Sequence, residues 1–544
     1  MGDFYMKNKK LVVIATSLLL VLGACSSKEN KGNANLDESR LDNLNETAMP
    51  IVKETVKLNL FTGRSPQSNK NWNDVMIFNE YEKMTQMDIE WEMIPEEALA
   101  EKRNLKLAGG DLPDAFFNAA IPANDIFKYG QQGVFIKLND LIDQYAPNLK
   151  KVLEENPEIK KGITFPDGNI YALPSIFEPS FTSMRIGAKP FINEEWLQKL
   201  GMDMPQTTEE FYQYLKVVKE TDLNGNGKAD EIPLGGPHIG WFMDYMKGSF
   251  GVGNRGPSVG SIDMDPKTEK LRFYPISDEY KQMLQYVNRL YKEKLIEQNI
   301  FSMDTNQYLA NASNGLYGAT NWFSPKDIFG NEAGGVFTGM PALEGPNGDK
   351  VFNRIISPIV YMGAFAVTNV NENPEATIRW IDYFYGEEGM KLFFMGIEGE
   401  TFTETADGKI EYMDHITNSK DGLTFEQEIA KYLTWPGGGY PSVSTEKYFK
   451  GAESSPQELE AAAKLEPNLI KEVWPAFIFT KEETDKLVGF GGDIDKYVLE
   501  MRDKFIAGEV PFSEWDKYVK TIETMGLKDY IDIQNAAYER YKKN

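Results

Sequence analysis

Cysteine and histidine are almost missing from this sequence: one Cys and two His stand among 544 residues. A single thiol forms no internal disulfide, and His238 and His415, 177 positions apart, write no HExxH or Cys/His zinc pattern. Positive charge is in deficit: 58 Lys+Arg face 82 Asp+Glu, a formal net charge of −24. That balance discourages binding to a phosphate backbone or an anionic membrane surface, so no nucleic-acid partner is expected. The long apolar run Leu11 to Leu22 is too short to span a bilayer comfortably, no second such run follows, and no internal repeat is present. What remains is 41% hydrophobic and 12% aromatic, ample for sizeable cores, on a length that suggests two or three domains.

The first 24 residues read as an export signal: Lys7, Lys9 and Lys10 precede the apolar run, which ends in Leu22-Gly23-Ala24-Cys25. The only cysteine thus follows small residues, an arrangement that resembles the lipobox of bacterial lipoproteins, in which the cysteine is diacylated after cleavage. Two acyl chains anchor stably where one does not. Loss of residues 1–24, with three Lys and one Asp, takes the net charge to −26. Residues 25–54 are polar and Asn-rich without apolar period and read as a flexible tether, with folding expected from Thr55.

Val56 to Phe61 alternates apolar with polar and predicts a strand; Val75 to Met84 predicts a helix, Ile89 to Met93 a strand, and Glu97 to Ala108 a helix. Further helical faces are marked by Tyr280, Leu284, Val287, Tyr291 and Leu295, and by Trp380, Ile381 and Phe384. The alternation implies an α/β architecture with a largely parallel sheet, whose ligands bind beyond the carboxyl ends of strands. The loop from Gly63 to Lys70 is one such place.

Several strings, in order, resemble extracellular solute-binding proteins of carbohydrate ABC importers, particularly the long subfamily of alginate-oligosaccharide binders and related lipoproteins. They include Gly110-Asp111-Leu112-Pro113-Asp114, Asp167-Gly168-Asn169-Ile170-Tyr171-Ala172-Leu173-Pro174, Asn193-Glu194-Glu195-Trp196-Leu197, Gly345-Pro346-Asn347-Gly348 and Gly396-Ile397-Glu398-Gly399-Glu400. The resemblance implies a two-lobed periplasmic-binding-protein-like fold (type II), two α/β lobes with hinge-crossing strands and a ligand cleft. By it, residues 55–175 and 365–430 form the N-terminal lobe and 176–364 and 431–544 the C-terminal lobe. Crossings are expected near Leu173 to Ser180 and near Met362 to Thr368. The implied function is a monomeric, non-enzymatic lipoprotein, held on the extracellular face of the cell membrane by Cys25, that captures an oligosaccharide for an ABC permease.

The stretch Asp222-Leu223-Asn224-Gly225-Asn226-Gly227-Lys228-Ala229-Asp230-Glu231-Ile232-Pro233 places oxygen-bearing side chains at loop positions 1, 3, 5 and 9 and glycine at 6, the spacing of an EF-hand-like loop around calcium. Pro233 replaces the bidentate glutamate of position 12, leaving Glu231 to supply that carboxylate, and the resemblance adds the Lys228 carbonyl. A structural Ca2+ ion is the expected occupant; a plain Asn-Gly turn is the alternative.

Sugar sites combine aromatic platforms with polar groups that fix orientation. Trp322, after a small-residue strand, is similar in setting to a stacking Trp of maltodextrin binders. Trp241 and Trp435 stand in Gly-rich surroundings, and Arg64, Asp114 and Glu398 are the polar candidates. Trp91, Trp196 and Trp380 lie in periodic segments and read as core, and His238 as a packed loop residue. An exported glycoside hydrolase using a carboxylate pair, or a receptor or adhesin on the same fold, are the competing readings.

Overall fold

Strand β1 (Val56–Arg64) buries Val56, Leu58 and Leu60 on one face, as its alternation predicts, while Phe61 enters a second cluster on the other. It pairs in parallel with β2 (Met87–Pro95) and β3 (Ala115–Phe117). A Cβ at Gly63 would stand 2.7 Å from Leu99, so glycine lets helix Glu96–Gly109 lie close over the strand. The chain continues through β4 (Leu173–Phe177) to β5 (Lys189–Asn193), β6 (Ile232–Gly235), and a hairpin of β7 (Ile262–Met264) and β8 (Leu271–Phe273). Then come β9 (Tyr317–Trp322), β10 (Phe337–Gly339), β11 (Ile359–Val367), a second hairpin of β12 (Phe402–Glu404) and β13 (Ile410–Tyr412), and β14 (Val443–Ser444). This computed structural model describes residues 39–47, 49–65, 70–406, 408–423, 425–434 and 440–543.

Two main sheets result, ordered β14-β4-β11-β3-β1-β2 and β10-β5-β9-β6, each with its own apolar core. The molecule is therefore a two-lobed α/β protein. The sheets are mixed rather than largely parallel: β11 runs antiparallel to β3 and β4, and β5 antiparallel to β9 and β10. The reason is topological, because β11 brings the chain back into the first sheet instead of following a helical crossover.

The chain passes between the sheets three times: after β4, between β10 and β11, and between β14 and helix Pro456–Leu465, which packs on β10 and β5. A Cβ at Gly339 would meet the Ala461 backbone at 2.4 Å, a measure of how closely that helix approaches β10. The boundary expected at residue 430 therefore moves. Tyr440, Val443, Tyr448 and Phe449 are buried in the first lobe's core, and the crossing follows them.

The expected tether also ends early. Residues from Ser39 belong to the same compact unit as the body: Arg40 forms a bidentate pair with Glu375, the Ile51 amide donates to the Thr85 carbonyl at 3.0 Å, and Ile51 and Val52 are buried. Two adjacent apolar residues have no period to read, yet both reach the core. Trp91, Trp196 and Trp380 are core residues as expected.

Candidate ligand cleft and cation loop

At the carboxyl edge of the second sheet, β9 is buried along its length until Trp322, which emerges half-buried. Beside it β6 ends at Gly235, where a Cβ would fall 2.1 Å from the Tyr317 ring, so only glycine permits this strand spacing. The neutral His238 imidazole then accepts from the Gly240 amide at 3.2 Å and starts helix Ile239–Lys247. Trp241 therefore stands in the first turn of a helix, not in a loop, and its ring stacks on Trp322 with centroids 4.8 Å apart and planes 22° from parallel. Phe323 meets both rings edge-on at 5.5 and 5.7 Å.

Charge gathers against this pair. The Arg354 guanidinium lies 4.9 Å from the Trp241 ring centre, and Arg354 Nε is 3.6 Å from the carboxylate of Asp244. Asp244, one turn beyond Trp241, accepts from Lys247 at 2.8 Å. Burial alone would raise the Asp244 carboxyl; Lys247, Arg354 and Arg502 outweigh it and hold it below the ordinary carboxylate value. Burial likewise draws the Arg354 guanidinium down, with Asp244 opposing. On the far side of Asp244 and Arg354 from the ring pair lies a small concavity, lined also by Lys247, Tyr274, Asn353 and glycines of the 253–260 loop. In a protein of net charge −24 it is locally cationic.

The remaining candidates fall elsewhere. Arg64 is exposed at the carboxyl end of β1, an edge shared with Asn118 and Ala120, which hold positive φ of 46° and 50° just beyond β3. Asp114 lies at the opposite, entry end of β3, where its carboxylate accepts from the Asn59 amide at 2.8 Å; it fixes the sheet rather than facing the cleft edge. Glu398 is exposed on the turn before β12. Trp435 and Cys25 lie outside the described residues. The structure thus unites Trp241 with Trp322 and adds Phe323, Asp244, Lys247 and Arg354, which the sequence reading missed. Tyr361, 51% exposed near the start of β11, is a further aromatic where the chain re-enters the first sheet.

In the cation loop, Asp222 accepts from the amides of Gly225 and Gly227, both at 2.8 Å, and of Asn226 at 3.2 Å. Asn224 and Asn226 turn their amide nitrogens to Asp230, at 3.3 and 2.9 Å, and the Asn226 bond leads the effects holding the Asp230 carboxyl below its ordinary value. Glu231 Oε1 accepts from the Leu223 and Asn224 amides, whereas its Oε2 is buried with no hydrogen-bond partner. Among the described residues no three His, Cys, Asp or Glu side chains converge on a point. The all-oxygen donor set and the orphaned Glu231 oxygen fit a hard cation, provided that the Asn224 and Asn226 amides turn their oxygens inward.

Residues 72–391 match the family described as bacterial extracellular solute-binding protein. The chain belongs to that family. The fructooligosaccharide ABC transporter substrate-binding protein FusA of Streptococcus pneumoniae is 32% identical, with 98% of each chain covered. Its structure in complex with kestose shows 29% identity and a TM-score of 0.71, covering 90% of this chain and 100% of that one; a second, of an EF-hand mutant with fructo-nystose, has the same TM-score. Lipoprotein LipO of Bacillus subtilis is 24% identical over 98% of this chain and 99% of its own. Alginate-binding protein AlgQ2, at 23% identity and a TM-score of 0.66 over 90% and 99% of the two chains, shares the fold. In this solute-binding protein no helix among the described residues is long and apolar enough to cross a membrane.

Proposed function

We propose that this solute-binding protein captures an oligosaccharide outside the cell and delivers it to an ABC permease, without chemical turnover. The observation that carries the reading is the Trp241–Trp322 stack, with Arg354 and Asp244 against it, at the carboxyl edge of the second sheet. Half-buried aromatic surface takes the C–H faces of sugar rings, while the fixed charges accept and donate to hydroxyls. Because each tryptophan covers one face of the other, the sugar meets the pair together rather than Trp322 alone. The kinship with FusA makes short fructose oligosaccharides the first class to test.

Two further features complete the reading. Asp222, Asn224, Asn226, Asp230 and Glu231, with the Lys228 carbonyl, hold a structural calcium ion; the existence of an EF-hand mutant of FusA supports this. Cys25 carries the lipid anchor at the cell surface, in keeping with the name of LipO, and the protein acts as a monomer. Calorimetric titration with kestose, followed by chromatography of the recovered sugar, tests the core of the proposal. Saturable binding with unchanged sugar is expected; hydrolysis products would overturn it in favour of a glycosidase.

A further inference from the structure

We propose that Arg354 is the positioning residue through which an occupied Trp241–Trp322 platform acts on the crossing between the lobes; the proposal rests on the sugar-binding reading above. Arg354 sits on the second crossing itself. One residue before it, buried Asn353 donates to the Val252 carbonyl at 2.7 Å in the second lobe. Two residues after it, the Ile356 amide donates to the Arg185 carbonyl at 3.0 Å and the Ile356 carbonyl accepts from Arg185 Nε at 3.1 Å, on the first crossing.

The guanidinium reaches that first crossing directly. Arg354 Nη1 donates to the carbonyls of Ile186 and, at 3.2 Å, of Ala188. Gly187 between them holds φ 66° and ψ −128°, a conformation that L side chains rarely adopt, and a Cβ there would stand 3.2 Å from Arg354 Nη1. The Gly187 carbonyl accepts from Lys189 Nζ at 2.9 Å, and Lys189 is paired in turn with Glu458 in the first turn of helix Pro456–Leu465, just after the third crossing. Three successive carbonyls are thus held by two cations, and one of those cations lies against Trp241.

A planar guanidinium can lay its face on a ring while its in-plane Nη1 donates to two carbonyls, a division of face and edge that the compact lysine ammonium lacks. Sugar seated on the aromatic pair displaces water from around Arg354 and Asp244, which strengthens both the ring contact and the Coulomb attraction. The same group is bonded to the 186–188 turn, and Ile356 to Arg185, so the platform and the two crossings form one bonded unit. A bend of the crossings that loosens this unit forfeits the gain, which is the differential interaction a ligand needs to shift a conformational equilibrium.

The test compares wild type, R354M and R354K with kestose, using calorimetry for affinity and small-angle X-ray scattering for contraction at saturating sugar. Wild type is expected to contract. R354M is expected to bind at least tenfold more weakly and, once saturated, to show less than half of that contraction, with R354K between the two. Full contraction of saturated R354M would overturn the proposal, leaving Arg354 as a ligand contact or a bystander. Hydrogen exchange on wild type adds a reading that needs no variant: the Gly187 and Ile356 amides should slow at least tenfold with kestose, and unchanged rates would overturn the coupling. Wild type that binds no kestose defeats the functional reading and this proposal with it, whereas binding with silent hinge amides defeats this proposal alone.

Discussion

Lys189 and Glu458 form an ion pair with neither side chain exposed to solvent, joining the start of β5 to the first turn of helix Pro456–Leu465. Lys189 also donates to the carbonyls of Ser183 at 3.0 Å and Gly187 at 2.9 Å, and burial pulls its ammonium below the ordinary value against the attraction of Glu458. Removing one partner strands the other charge in the interior. Lys189→Met or Glu458→Gln alone should cost about 3 kcal/mol or more of unfolding free energy, and the two together less than the sum, as a denaturant double-mutant cycle would show. A single change costing under about 0.5 kcal/mol would contradict this.

Trp322→Ala removes the ring on which Trp241 stacks. Kestose affinity should fall by about 2 kcal/mol, near thirtyfold, with the melting temperature little changed. Equal affinity by calorimetry would make Trp322 a packing residue only.

Chelation should lower the melting temperature and calcium restore it. At a Kd of about 10⁻⁴ M and tenfold saturation, mass action contributes about 1.4 kcal/mol. Asp222→Ala should abolish the response. Identical melting in chelator and in calcium, with no metal by elemental analysis, would reduce the loop to a turn.

Asp382, on helix Pro374–Asp382, caps the start of helix Pro147–Glu155, accepting from the Asn148 and Leu149 amides at 3.1 and 2.8 Å. Burial nevertheless pushes its carboxyl up to about 6 from 3.8. A carboxyl raised on folding favours the native state when protonated, so its contribution is full below the unfolded value and is lost as pH rises from about 4 to about 6. The unfolding free energy of wild type relative to Asp382→Asn should therefore fall by about 3 kcal/mol from pH 3 to pH 7. A flat difference would contradict the burial effect.

Cys25→Ser should release the protein into the medium. A variant that stays on cells through a detergent-free wash would contradict the lipid anchor.

Elements with a strong period were legible. The alternation of Val56 to Phe61 predicts β1, which extends three residues further, with Gly63 lying under Leu99 of helix Glu96–Gly109. Trp241 and Trp322 were legible one by one, through small or glycine-rich flanks, but their stacking depends on β6 pairing with β9, which no local pattern encodes. Arg354 was invisible because it lies in an aperiodic crossing and works through backbone carbonyls 166 and 168 positions away. Asp114 has a structural part that no local pattern shows, since its carboxylate accepts from the Asn59 amide on neighbouring β1. The late lobe boundary escaped because β14 is two residues long, too short to show alternation.

The three passages between the sheets also constrain how the lobes move. Two bodies joined by one connector swivel freely, and joined by two they still twist about the line between the attachments. A third attachment off that line suppresses the twist and leaves a bend as the soft motion. If the lobes open, the motion is expected to be close to a one-parameter process, and a single inter-lobe distance, from one pair of spectroscopic labels, should follow it completely.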